Sequence, residues 1–196
     1  MNLKIGTHDF QAKLSLFDLL DADEGEKQLL QNRNHTLDTC TYYSPISLPT
    51  QHNYLKTSNT FQLLLHNVRS LVKNGETFKD FLSNANILPS TILVTETWLR
   101  DCVPPTVIPN YSFYGKNREG KMGGGVGIFV HNKNNCIERL DLIRNSAAME
   151  HVSVELDRNS DINIIVSCIY RPPDTNFNQF ITELQILLQK LSTCKN

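Results

Sequence analysis

The sequence predicts an α/β fold on three observations. Thr91-Ile92-Leu93-Val94 and Val126-Gly127-Ile128-Phe129-Val130 are short continuous apolar runs, the pattern of strands buried on both faces. Ile162 to Ile169 is a longer run rich in β-branched residues, which favour the pleated backbone. Phe177, Phe180, Ile181, Leu184, Leu187, Leu188 and Leu191 recur at helical spacing and define an amphipathic helix.

Taken from the N-terminus, residues 1–58 differ from the rest. Phe17 to Leu20 could form a helical turn, followed by the acidic Asp21-Ala22-Asp23-Glu24. Asn32 to Thr60 is rich in Asn, Thr, Ser, Gln and Pro, which is linker chemistry. The segment 1–58 is therefore expected to be a poorly ordered polar extension, and 59–196 the structured domain. Phe61-Gln62-Leu63-Leu64-Leu65 reads as the first buried strand. Gly75 to Ala85 carries Phe78, Phe81, Leu82 and Ala85 at helical spacing. Glu150 to Leu156 alternates Val152, Val154 and Leu156, as a half-buried strand does. Pro172-Pro173 separates the Ile162–Ile169 strand from the last helix, which Asp174 or Thr175 can cap.

Composition excludes several classes. Hydrophobic residues are 40% and charged residues 20% of the 196, which is ordinary for a globular chain. The net charge of -1 argues against DNA binding through the whole surface, so any such contact is local. The five cysteines are scattered and never in a Cys-x-x-Cys pair, which speaks against both a zinc site and a disulfide framework. Asn34-His35-Thr36 and Asn110-Tyr111-Ser112 match the glycosylation pattern, but no basic-then-apolar leader precedes them, so both read as chance matches in an intracellular protein. No apolar run is long enough to cross a membrane.

Three polar residues fall at the carboxyl ends of predicted strands: Asn67 after Phe61 to His66, Glu96 after Ile92 to Thr95, and Tyr170 after Ile162 to Ile169. The crevice outside the carboxyl ends of the strands is the usual ligand site of an α/β sheet. Each residue also has a plain structural reading, as a turn Asn, a solvated Glu or a packed Tyr. Arg171, beside Tyr170, is the candidate for a phosphate contact. Lys116, Arg118 and Lys121 read as solvated loop residues. The run Gly123-Gly124-Gly125-Val126-Gly127 leads into a strand, so it reads as a turn or a site of close backbone packing, not as a phosphate loop before a helix. His66 and His151 fall within strand patterns as core or surface residues, and Trp98 reads as a packing residue and not a base-stacking platform.

The words around these residues are Leu65-His66-Asn67-Val68-Arg69-Ser70-Leu71, Val94-Thr95-Glu96-Thr97-Trp98-Leu99, the glycine run through Val130, and Ile169-Tyr170-Arg171-Pro172-Pro173. Their order and spacing resemble the endonuclease/exonuclease/phosphatase superfamily. The likeness is strongest to the apurinic-endonuclease-like domain of non-LTR, LINE-type retrotransposons, and covers roughly residues 61–191. The resemblance implies a four-layered, DNase I-like α/β sandwich. It implies Glu96 as a ligand of a catalytic Mg²⁺, assisted by Asn67, with Tyr170 donating a hydrogen bond to the scissile phosphate. The substrate would be DNA, nicked to expose the end that primes reverse transcription.

The family carries its general base in a later Gly-Asp-x-Asn motif and a further Asp and His in a Ser-Asp-His motif. Neither follows the last helix before Asn196. Asp161-Ile162-Asn163 mimics the first but precedes the Tyr170 strand, and reads as a turn. The expectation is thus an incomplete sandwich, truncated after about its first half, with hydrolysis lowered by several orders of magnitude. Its uncovered apolar surface invites self-association. The other readings are a non-catalytic DNA- or protein-binding module and a phosphatase of the same superfamily.

Overall fold

A computed structural model describes residues 61–84, 88–101, 105, 107–120, 123–144, 146–157 and 163–194, and the backbone of 3–6 and 42–43. Nine strands and two helices are described: β1 (Leu3–Gly6), β2 (Tyr42–Tyr43), β3 (Leu63–Asn67), α1 (Leu71–Asn84), β4 (Thr91–Thr95), β5 (Tyr111–Lys116), β6 (Val126–His131), β7 (Asn135–Glu138), β8 (Glu150–Asp157), β9 (Ile164–Tyr170) and α2 (Phe177–Thr193). A short 3-10 turn spans Leu140–Leu142. The chain is a mixed α/β protein.

The strands form two sheets. One has the order β2-β1-β3-β4-β6-β5, the other β7-β8-β9. β3 and β4 are parallel, joined through α1, and the remaining pairs are antiparallel. Of the predicted polar extension, only Leu3–Gly6 and Tyr42–Tyr43 are described, as strands at one side of the larger sheet. The helical turn read at Phe17 to Leu20 lies outside the described residues.

The period-2 alternation of each strand sorts its side chains into layers. Leu64, Ile92, Val94 and Phe129 face α1, whose buried Leu71, Phe78 and Leu82 complete that core. Leu93, Val126, Ile128 and Val130 face the other way, against Val152, Val154, Leu156, Val166 and Cys168 of the smaller sheet. Ile165 and Ile169 point outward from the smaller sheet and pack with Phe180, Leu184, Leu187 and Leu191 of α2. The order is helix, sheet, sheet, helix. Each fully buried Leu or Ile in these layers contributes roughly 1.5–3 kcal/mol.

Several boundaries differ from the sequence reading. β3 starts at Leu63 and ends on Asn67, so Phe61 and Gln62 precede it. α1 begins at Leu71, a turn before Gly75, because Ser70 caps it: its Oγ accepts from Lys73 N at 3.2 Å. α2 is capped by Asn176 instead of Asp174 or Thr175; its Oδ1 accepts from Asn178 N at 2.9 Å and Gln179 N at 3.3 Å. Thr175 turns its hydroxyl back to Pro172 O. The strands β5 and β7 were not anticipated. β5 interleaves aromatic residues with Ser112, Gly115 and Lys116, β7 is bounded by Asn135 and Glu138, and neither is an apolar run.

Candidate functional site at one rim of the two sheets

Asn67 and Thr95 are register partners at the carboxyl ends of β3 and β4, and Thr95 is the partner of Val126 at the start of β6. Opposite them, Glu150 opens β8 beside Tyr170, which closes β9. The rim thus gathers strand ends from both sheets.

Glu96 is the first residue beyond β4 and has a left-handed φ of 55°. Such backbone costs a non-glycine residue energy and persists only where neighbours hold it. Here the turn is zipped on both sides. The carbonyls of Thr95, Glu96 and Thr97 accept from Val68, Ser70 and Leu71 N at 3.0, 2.8 and 2.8 Å. Thr97 and Trp98 N donate to the carbonyls of Gly125 and Gly124 at 3.2 and 2.9 Å. The Glu96 carboxylate, so fixed, accepts a hydrogen bond from Tyr170 Oη at 2.7 Å. That bond joins the two sheets. Burial, followed by the adjoining Glu96 carboxylate, pushes the Tyr170 hydroxyl up to about 12; Arg118 opposes this and Glu150 adds to it. Tyr170 is therefore a protonated donor throughout the neutral range.

The structure adds two charged residues to the rim. Arg118 Nε donates to Glu150 Oε1, and Gly125 N donates to Glu150 Oε2 at 2.7 Å. Arg118 Nη2 is buried without a hydrogen-bond partner, as is Thr97 Oγ1. Arg118 is thus a half-buried ion-pair partner of Glu150 and not the solvated loop residue the sequence suggests. A signal for Glu150 was present: it lies in phase with Val152, Val154 and Leu156, and a carboxylate on a buried face needs a partner. Arg118 sits beyond β5 with no periodic pattern to mark it.

The glycine run is packed as closely as the sequence allows. Gly123, Gly124 and Gly125 all have positive φ. A methyl group on Gly124 would fall 2.2 Å from the Arg118 guanidinium, and one on Gly125 would fall 2.4 Å from Thr97 Oγ1. Both positions favour glycine for backbone conformation, and a side chain there would have to displace Thr97 or the Arg118 guanidinium that pairs with Glu150.

The other candidates are placed less directly. Asn67 lies on the rim, but its Oδ1 accepts from Arg69 N at 3.3 Å, as a turn Asn does. Arg171 directs its guanidinium to Thr175 O at 3.3 Å and over the Phe177 ring, toward the start of α2. Arg118, held by Glu150, is the cation whose charge acts on the Tyr170 hydroxyl. Lys116 Nζ donates to Arg144 O at 2.9 Å, and Lys121 lies outside the described residues. Trp98 is 44% exposed; its backbone is pinned, and its indole edge lies beside Gly123.

His66 and His151 lie on the helix-facing sides of the sheets. His66 stacks on Phe78 at 4.8 Å, and His151 Nε2 bonds Leu142 O at 2.9 Å. Burial lowers the pKa of both. Asn163, from the Asp-x-Asn look-alike, donates to Glu155 Oε1 at 2.7 Å, away from the rim; Asp161 and Ile162 lie outside the described residues. A depression of about 320 Å³ lined by Ser112, Asn132, Asn134 and Cys136 lies at the opposite end of β5 and β6.

The donors that could hold a cation are hard oxygens, the Glu96 carboxylate and the Asn67 amide. One carboxylate completed by water is a donor set typical of Mg²⁺, which keeps much of its hydration shell. Among the described residues no group of three or more His, Cys, Asp or Glu could hold a metal. Among the described residues no helix is long and apolar enough to cross a membrane. Comparison of the chain with protein-family models and with curated proteins found no match.

Proposed function

We propose that the rim formed by Glu96, Tyr170, Asn67 and Arg118 binds a DNA phosphodiester in the manner of a Mg²⁺-dependent endonuclease domain. The observation that carries this reading is the 2.7 Å hydrogen bond between Tyr170 and Glu96, residues from different sheets brought together at their strand ends. The helix–sheet–sheet–helix layering supports placing the chain with the DNase I-like sandwiches of the endonuclease/exonuclease/phosphatase superfamily, and the four sequence words support the retrotransposon branch.

In this reading Glu96 holds the ion and Asn67 assists. Bound Mg²⁺ would neutralise phosphate charge and polarise its oxygens. Tyr170 keeps its proton and donates to a phosphate oxygen in place of Glu96, while Arg118, held by Glu150, contributes positive charge beside it. The preorganised Glu96 turn means little reorganisation when ligand arrives.

The same contacts favour binding over efficient hydrolysis. Both carboxylates of the rim are engaged, Glu96 by Tyr170 and Glu150 by Arg118 and Gly125. Of the described histidines, His66 and His151 face the helices and His131 lies at the far end of β6 against the Tyr111 ring, so no described imidazole stands ready to take a proton from water at this rim. A supercoiled plasmid in Mg²⁺ tests this: DNA should be retained at low salt and stay largely un-nicked. Rapid nicking that disappears in Glu96→Ala would show a competent centre instead. Loss of all DNA binding at low salt would remove the reading.

A further inference from the structure

We propose that Trp98 is a stacking platform for an unstacked nucleobase of the DNA strand whose phosphate sits at Glu96 and Tyr170. The proposal rests on the phosphodiester reading above and names the part of the ligand that the rim takes next.

A singly exposed large side chain needs no explanation. Trp98 differs because its exposure is enforced. Its φ is 53°, a left-handed backbone that disfavours a bulky residue. Its neighbours on both sides are buried, Thr97 at 0% and Leu99 at 6%, and its own N–H is bonded to Gly124 O at 2.9 Å. The loop is therefore not loose, yet the indole is 44% exposed. Strained backbone held by over-determined surroundings marks sites where a side chain must point in a set direction.

The surroundings suit a flat ligand. Gly123 leaves bare backbone beside the indole: a methyl group there would lie 3.6 Å from Trp98 Nε1 and 4.0 Å from Arg118 Nη1. The Gly123 backbone thus lies between the indole and the Arg118 guanidinium, whose charge favours a base linked to an anionic phosphate. Trp98 is two residues from Glu96, a span of at most about 7 Å of chain, within reach of the base attached to a phosphate at Tyr170. Paired bases in a duplex hide their faces, so the ligand is single-stranded or frayed at this nucleotide.

Trp98 is the sole tryptophan, so fluorescence excited selectively at the indole, apart from the six tyrosines, reports on this position alone. The full chain is titrated with a short single-stranded oligodeoxynucleotide and with an abasic sugar–phosphate strand of equal length. Affinities of labelled strands are read by anisotropy for wild type, Trp98→Phe and Trp98→Ala. The proposal expects the base-bearing strand to quench Trp98 and to bind roughly tenfold tighter than the abasic strand, the share of one aromatic stack. Trp98→Phe should keep most of that difference and Trp98→Ala should erase it. Equal binding of the two strands to wild type overturns the platform while leaving the phosphate site standing. Binding of neither strand to a chain that still melts cooperatively overturns both.

Discussion

Glu150 and Tyr170 are direct cross-strand partners on β8 and β9, and each reaches across to a different part of the larger sheet's rim. Tyr170 donates to Glu96 beyond β4, while Glu150 accepts from Gly125 ahead of β6 and holds Arg118. One pair of adjacent residues thus fastens the two sheets at two points and sets the geometry of the rim.

Tyr170→Phe should remove about 1 kcal/mol of stability, because the bond has a charged acceptor but the pair is only partly buried. The alkaline limb gives a second readout. The hydroxyl is raised from 10.0 to about 12 in the folded chain, so its contribution is complete below pH 10.0 and is lost as pH rises toward 12. Urea melts across that range should show the loss in wild type and a smaller slope in Tyr170→Phe.

Gly124→Ala and Gly125→Ala should each cost on the order of 2–3 kcal/mol, since each combines positive φ with a collision against Arg118 or Thr97. Gly120 is the internal control. It also has positive φ but open space around it, so Gly120→Ala should cost only the backbone preference, roughly 1 kcal/mol. Equal losses at all three positions in chemical denaturation would contradict the packing described for the glycine turn.

Arg118→Met or Glu150→Met alone should destabilise by about 2–3 kcal/mol, the low end for breaking a buried pair because both side chains keep some contact with water. The double substitution should cost clearly less than the sum, as expected where each single change strands a charge. Additive losses would mean that the two side chains act independently.

His151 is fully buried, with Nε2 bonded to Leu142 O and Nδ1 unpartnered. Burial, aided by Lys116, Lys190 and Arg144, holds its pKa below 6.5. Its stabilising contribution is therefore present above pH 6.5 and is lost as pH falls below that value; His66 acts in the same direction. The melting temperature should fall between pH 7 and about 5, and fall less in His151→Gln.

The sequence was legible where one physical signal dominated. Continuous apolar runs marked β4 and β6, and helical spacing marked α2, because burial on both faces or along one stripe leaves a local pattern. Tyr111–Lys116 was missed because aromatic side chains alternate there with Ser and Gly, and Asn135–Glu138 because half of it faces water. Glu96 and Tyr170 were legible as strand-end residues, but their mutual contact was not, since 74 residues separate them. Arg118 was illegible for a related reason. Its partner lies 32 residues away on the other sheet, and no local pattern distinguishes it from a solvated loop arginine.

Glu96 and Tyr170 are proposed to form a Mg²⁺-assisted phosphodiester site. Its most direct measurement is the affinity of a fluorescently labelled DNA strand at fixed low ionic strength, with and without Mg²⁺, for wild type and Glu96→Gln. Mg²⁺ should tighten binding to wild type, and Glu96→Gln should abolish this gain without unfolding the chain. Binding that is indifferent to Mg²⁺, or a Mg²⁺ effect that survives intact in Glu96→Gln, would contradict this assignment.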